Sequence, residues 1–297
     1  MTAPGARHHW QADLALAGVA LIWGATFVVV KDALRDVSTL LFLALRFAVA
    51  TCALALAFRR RAVPFQRWGL SVWAGLAAGA CLFAGYTLQT VGLRYTTPSK
   101  SAFLTSLSIV LVPFLASLVS RRRPDLYEVA GAIAATAGVG LMTLPGGHFD
   151  VNPGDTLTLL CAVAFAAHIL VVGYFSGKIV YENVAVMQIA IAALLSLGAF
   201  WWAEAPFIRW SASVAGAVAV TGLMATALAF SVQAWAQQYT TPVRTALIFS
   251  LEPVFAWLTS FLVTGERLSG AAVLGAALIL SGIVLVELKP GRRGSRQ

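Results

Sequence analysis

The sequence predicts an all-α integral membrane protein, with ten transmembrane helices arranged as two inverted five-helix repeats. Three observations lead there. Of 297 residues, 59% are hydrophobic and 11% charged, with a mean hydropathy of +0.82, far too apolar for a soluble domain. The apolar residues fall in runs close to the roughly 20 that cross about 30 Å of hydrocarbon. Finally, the second half of the chain repeats the first in register.

Taken in order, the runs lie near 12–31, 38–58, 69–93, 98–120, 126–144, 154–175, 182–202, 211–237, 242–263 and 269–288. Backbone polar groups in lipid must be satisfied within their own segment, and runs of this length exclude barrel strands. The first run follows Arg7 and continues to Val30 without a small-residue cleavage site, so a retained helix is expected rather than a signal peptide. Gly75 and Gly79 in the third run permit close backbone approach, as do Gly131, Gly138 and Gly140 in the fifth and Gly275 and Gly282 in the tenth. The fourth and ninth open on Thr97-Pro98 and Thr241-Pro242, threonines suited to cap a helix and prolines suited to its first position. Trp10, Trp68, Trp73, Trp201, Trp202 and Trp210 suit the membrane interface. Residues 1–11 are expected to form a cytoplasmic tail, 12–145 and 154–289 the two repeats, and 290–297 a basic cytoplasmic tail.

Lys and Arg set the orientation, because positive connections stay in the cytoplasm. Arg7, Arg59 to Arg61, Arg67, Arg121 to Arg123, Lys178, Arg244, Lys289, Arg292, Arg293 and Arg296 fall on one side, against Lys31, Arg35, Arg94, Lys100, Arg209 and Arg267 on the other. Both termini are expected inside. The net charge of +9 then meets the anionic headgroups of the bilayer, and nucleic acid is no expected partner. Cys52, Cys81 and Cys161 all lie within runs and have no metal-binding spacing, so they are expected to pack as small side chains.

The internal repeat is close. Gln89, Tyr95 to Pro98, Ala102, Ser106, Leu107, Gly131 and Gly138 return 144 residues later as Gln233, Tyr239 to Pro242, Ala246, Ser250, Leu251, Gly275 and Gly282. At a similar offset Asp13 matches Asp155, while Trp23 and Thr26 match Phe165 and His168. An odd number of spans per copy makes the second copy enter from the opposite side, the architecture of alternating-access carriers. The two Thr-Pro starts then stand at opposite ends of one pathway. Thr97, Pro98 and Lys100 would form one gate, and Thr241, Pro242 and Arg244 the other, with Lys100 and Arg244 either snorkelling to headgroup phosphates, the better supported account, or drawing in a substrate carboxylate.

Polar residues at membrane depth mark the candidate cavity, since they are costly there. Thr245, Phe249 and Glu252 share one helical face, and Ser101, Thr105 and Ser108 the matching face of the fourth run. Trp23, Thr26, Tyr86, Gln89, His168 and Gln233 complete the set. For Glu252 a structural role, hydrogen-bonding a neighbouring helix end or pairing with Arg46 or His168, is at least as well supported as binding substrate or a proton. A cavity lined by Trp23, Tyr86, Gln89, Gln233 and their neighbours is neutral and aromatic, and suits amino acids or amphiphilic metabolites better than inorganic ions. A membrane enzyme would need a carboxylate pair, a metal cluster or an activated nucleophile, and none is legible. No phosphate-cradling glycine loop is present either, and no cofactor is expected.

These marks resemble the EamA-type permeases of the drug/metabolite transporter superfamily. The resemblance spans nearly the whole chain and rests on Trp23-Gly24, the Tyr-Thr-Thr-Pro pairs, Glu252-Pro253, Gly265-Glu266, Gly275 and Gly282. It implies a secondary transporter of the bacterial inner membrane exporting amino acids or similar metabolites, with drugs, sugars or nucleobases as alternatives and an enzyme acting on lipid-linked substrates as a remote one. A monomer is expected. In the first half Ser108-Ile109 replaces the Glu-Pro pair, so the halves are not interchangeable and coupling to protons is left open.

Overall fold

The computed structural model describes residues 4–59, 67–96, 98–121, 124–143, 152–264 and 270–287. Among these the chain is helical, with only two isolated β-bridges. The α-helices are α1 (Pro4–Ala33), α2 (Thr39–Phe58), α3 (Trp68–Tyr95), α4 (Pro98–Ser106), α5 (Ser108–Ser120), α6 (Leu126–Thr143), α7 (Pro153–Phe175), α8 (Tyr181–Ala203), α9 (Ala212–Gly222), α10 (Ala229–Ala236), α11 (Pro242–Phe249), α12 (Glu252–Thr264) and α13 (Gly270–Glu287). A π-helical turn, Leu223–Leu228, joins α9 to α10.

Among the described residues seven stretches are long and apolar enough to cross a membrane: His9–Ala33, Thr39–Phe58, Trp68–Tyr95, Ser101–Val119, Pro153–Phe175, Tyr181–Ala203 and Ala212–Ala236. The runs expected near 126–144 and 269–288 contain the shorter apolar helices Leu126–Leu141 and Val273–Leu285. The expected single helix over 242–263 is divided at Ser250 and Leu251, and that over 98–120 is interrupted at Leu107.

Close backbone contact sets the packing. α3 lies against α7 and α8, α2 against α8, α1 against α12 and α6 against α13. α6 and α13 run antiparallel with their glycines meeting crosswise. A Cβ on Gly138 would sit against the Gly275 carbonyl and 3.0 Å from the Ile279 nitrogen, and one on Gly282 would lie 2.6 Å from the Gly131 carbonyl oxygen. The six tryptophans assigned to the interface are all exposed. Cys52 is exposed and Cys161 buried, and Cys52, Cys81 and Cys161 are free thiols.

Each end of the bundle is tied by polar contacts. Lys31 donates to the Leu93, Arg94 and Thr96 carbonyls at 2.5, 3.2 and 3.1 Å, capping the C-terminus of α3. Arg94 returns the contact, donating to the Leu34 and Val37 carbonyls beyond α1. A cation at a helix C-terminus meets both the unpaired carbonyls and the negative end of the dipole. Nearby, Ser38 and Phe207 bond through their backbones, and Glu204 accepts from the Leu41 N–H at the start of α2. Toward the other end Arg244 forms a two-pronged ion pair with Asp13.

Candidate functional site

A cavity of about 820 Å³, counting its open part, lies where α1, α2, α3, α7 and α10 meet the junctions of α4 with α5 and α11 with α12. Ten of the twelve residues expected in the cavity line it: Trp23, Thr26, Tyr86, Gln89, Thr105, Ser108, His168, Gln233, Phe249 and Glu252. Ser101 and Thr245 do not. They are repeat-equivalent positions, each fully buried one turn before Thr105 and Phe249. The Thr245 hydroxyl turns back to its own helix at the Thr241 carbonyl.

The helix interruptions fall on Leu107 and Leu251, matching positions of the two halves. At the first, the Val110 N–H bonds to Leu107 rather than to Ser106. At the second, Pro253 has no N–H to give the Phe249 carbonyl. Ser106 and Phe249 both line the cavity. Discontinuous helices at matching positions are how carriers bring backbone polar groups to a midplane site.

The π turn supplies another freed acceptor. In an α-helix the Ala225 carbonyl would accept from the Ala229 N–H, which here goes to Met224 and Thr226 instead. Ala225 accepts from Trp23 Nε1 at 2.8 Å and from Arg46 Nη2 at 3.3 Å. π-Helical turns recur at functional sites for this kind of reason. Arg46 also donates to Thr226 Oγ1 at 2.6 Å and to the Tyr86 hydroxyl at 3.1 Å. The Trp23 ring lies 5.3 Å from that of Phe230 and 4.8 Å from that of Phe249, and Tyr86 meets Phe165 edge-on at 5.2 Å.

The remaining polar groups are held from behind. Gln89 Nε2 donates to Thr105 Oγ1 at 3.0 Å. Gln233 Nε2 donates to Gln237 Oε1 at 3.1 Å, and Gln237 donates onward to the Ile169 carbonyl. His168 Nε2 shares a 2.8 Å hydrogen bond with Gln188 Oε1. The pairing of Glu252 with Arg46 or His168 weighed above does not occur: both have other partners, and among the described residues nothing pairs with the Glu252 carboxyl. Glu252 is nonetheless fixed, because Gly24 leaves α1 in contact with its backbone. A Cβ on Gly24 would lie 2.5 Å from the Glu252 carbonyl oxygen. Among the described residues no three His, Cys, Asp or Glu side chains gather as a metal site.

Of the gate residues, Thr241 accepts from the Arg244 N–H at 3.2 Å as an N-cap, with Pro242 at the first helical position. Thr97 and the side chains of Pro98 and Lys100 lie outside the described residues, as do Gly265, Glu266 and Arg267. Arg46, Phe165 and Phe230 join the lining without having been among the candidates. Phe230 is the repeat equivalent of Tyr86 and Phe165 that of Trp23, a signal that could have found both.

The model of the EamA-like transporter family matches residues 10–144 and again 152–288. An "uncharacterized transporter" of Archaeoglobus fulgidus is 37% identical, over 94% of this chain and 86% of its own length. A "probable amino-acid metabolite efflux pump" of Salmonella typhimurium is 26% identical, over 90% and 91%. A "probable terminal-alkyne amino-acid exporter" of Streptantibioticus cattleyicolor is 23% identical, over 95% and 96%. A crystal structure 22% identical in sequence superposes with a TM-score of 0.76, over 94% of this chain and 97% of the other.

Proposed function

The chain belongs to the EamA-like transporter family, and from that premise we propose that this multi-pass membrane protein exports amino acids and related small metabolites across the bacterial inner membrane by alternating access. One observation carries the substrate class. The cavity is lined by aromatic rings and by the Glu252 carboxylate, which nothing pairs with among the described residues, and this suits the ammonium and apolar side chain of an amino acid. Names given to two relatives, an amino-acid metabolite efflux pump and an amino-acid exporter, support the same reading.

The transport cycle we propose uses ten spans in two inverted repeats, bounded by residues 12–145 and 154–289, with both termini cytoplasmic and the chain acting as a monomer. Support comes from the family model matching twice, from the interruptions at Leu107 and Leu251, and from the crosswise glycines of α6 and α13. Such a pair of halves can exchange conformations and so expose the cavity to either side. Thr241, Pro242 and Arg244, held by Asp13, serve as one gate, and Thr97, Pro98 and Lys100 as the other.

Proteoliposomes loaded with a mixture of labelled amino acids test this. Release is expected, lost in Gln89→Ala and Gln233→Ala, and its response to a pH gradient separates facilitated flow from antiport. Release of only drugs, sugars or nucleobases would overturn the amino-acid assignment.

A further inference from the structure

Hydrogen-bonding capacity is unevenly spread around the cavity. On the side of α10, α11 and α12, acceptors gather without donors. Glu252 is 7% exposed, and its carboxyl has no partner among the described residues. Gln233 is 1% exposed; its Nε2 is committed to Gln237, and its Oε1 makes no hydrogen bond. Phe249 has lost the helical donor to its carbonyl. All three residues line the same space. A buried acceptor without a donor is costly, and such groups in a native structure call for a ligand or water to satisfy them.

Aromatic rings line the same space. Trp23 packs against both Phe230 and Phe249, while Gly24, its neighbour, touches the Glu252 backbone. Gln233 follows Phe230 by three residues and so shares its face. A carboxylate beside aromatic faces favours a cation, which the ring quadrupoles attract. Among the described residues Arg46 is the only arginine or lysine in the lining, and its guanidinium is engaged by Thr226, Tyr86 and Ala225.

We propose that this acceptor-rich pole is the subsite for a protonated amine, with Glu252 and Gln233 Oε1 receiving its N–H groups and Trp23, Phe230 and Phe249 walling its apolar body. The assignment rests on the transporter reading and sharpens it: the ammonium of the substrate is required, and its carboxylate is not.

Three probes that differ by one group decide it: phenylalanine, phenethylamine, which lacks the carboxylate, and 3-phenylpropionate, which lacks the amine. Each is measured for binding to the full-length protein in detergent and for release from proteoliposomes. Phenylalanine and phenethylamine are expected to bind and be released, and 3-phenylpropionate to do neither. Glu252→Gln is expected to weaken both amines at least about tenfold, as loss of a charge-assisted hydrogen bond implies. Gln233→Leu, which keeps every charge, is expected to weaken them less, and it serves as the second variant should Glu252→Gln fold poorly. Release of 3-phenylpropionate but not phenethylamine would overturn the amine subsite and leave transport standing. Binding of sodium that is lost in Glu252→Gln, with the amines unaffected, would assign the pole to a coupling cation and overturn it too. If no probe and no amino acid binds or crosses, both readings fall.

Discussion

Trp23 and Arg46 come from different helices and share one acceptor, the Ala225 carbonyl released by the π turn. Replacing Trp23 by Phe keeps a ring against Phe230 and Phe249 but removes the indole donor. In membrane interiors a hydrogen bond of this kind contributes about 0.6 kcal/mol and at most about 1.7. A small fall in Tm is therefore expected, with a larger effect on transport, read as initial release rate. Arg46→Lys should cost more than Trp23→Phe, since a point charge cannot reproduce a guanidinium that bonds through two nitrogens to three partners. At this scale the sequence was informative where the two halves agree. Gln89 and Gln233 stand out because they recur in register, and both line the cavity. Arg46 has no charged counterpart in that register, and the carbonyl it reaches, that of Ala225, lies 179 residues away in the chain, so no local pattern names it.

Helix interruptions carry the next level of organisation. The stripes Ser101, Thr105, Ser108 and Thr245, Phe249, Glu252 assume two uninterrupted helices, and the later two members of each reach the cavity while the first does not. Pro253 marks the second interruption in the sequence, but Leu107 has neither proline nor glycine beside it, and its equivalence to Leu251 is its only signal. The π turn is silent as well, because one extra residue in an apolar run changes no composition and only shifts the register. The contact of α1 with α12 tests how tightly such elements must fit. Gly24→Ala would press a methyl against the Glu252 and Ala256 backbone and is expected to cost about 1–3 kcal/mol, with loss of transport. Gly18→Ala, in the same helix with nothing within 4 Å, should leave Tm and transport unchanged. Thermal unfolding of the two variants side by side makes the comparison.

Across the whole molecule, polar ties at opposite ends of the bundle join parts of the chain that are distant in sequence. Asp13 of α1 and Arg244 of α11 lie 231 residues apart in sequence and meet as an ion pair. Asp13→Arg and Arg244→Asp, made singly, are each expected to alter the transport rate; made together they should recover it in part, with a coupling of about 0.5–3 kcal/mol in a double-mutant cycle. Additivity of the two single effects would show that the pair plays no part in the cycle. The long-range partners of such a pair were not legible beforehand, whereas the number and spacing of the apolar runs were, because hydropathy is local and a salt bridge across spans is not. The crosswise seating of Gly138 on Gly275 and of Gly282 on Gly131 has a further consequence. Each half brings to the seam the same pair of small residues that it receives, so the seam does not depend on the peptide link between the halves. A chain severed between residues 144 and 152 and expressed as two fragments is expected to reassemble in the bilayer through that surface, which co-purification of one tagged fragment with the other would check.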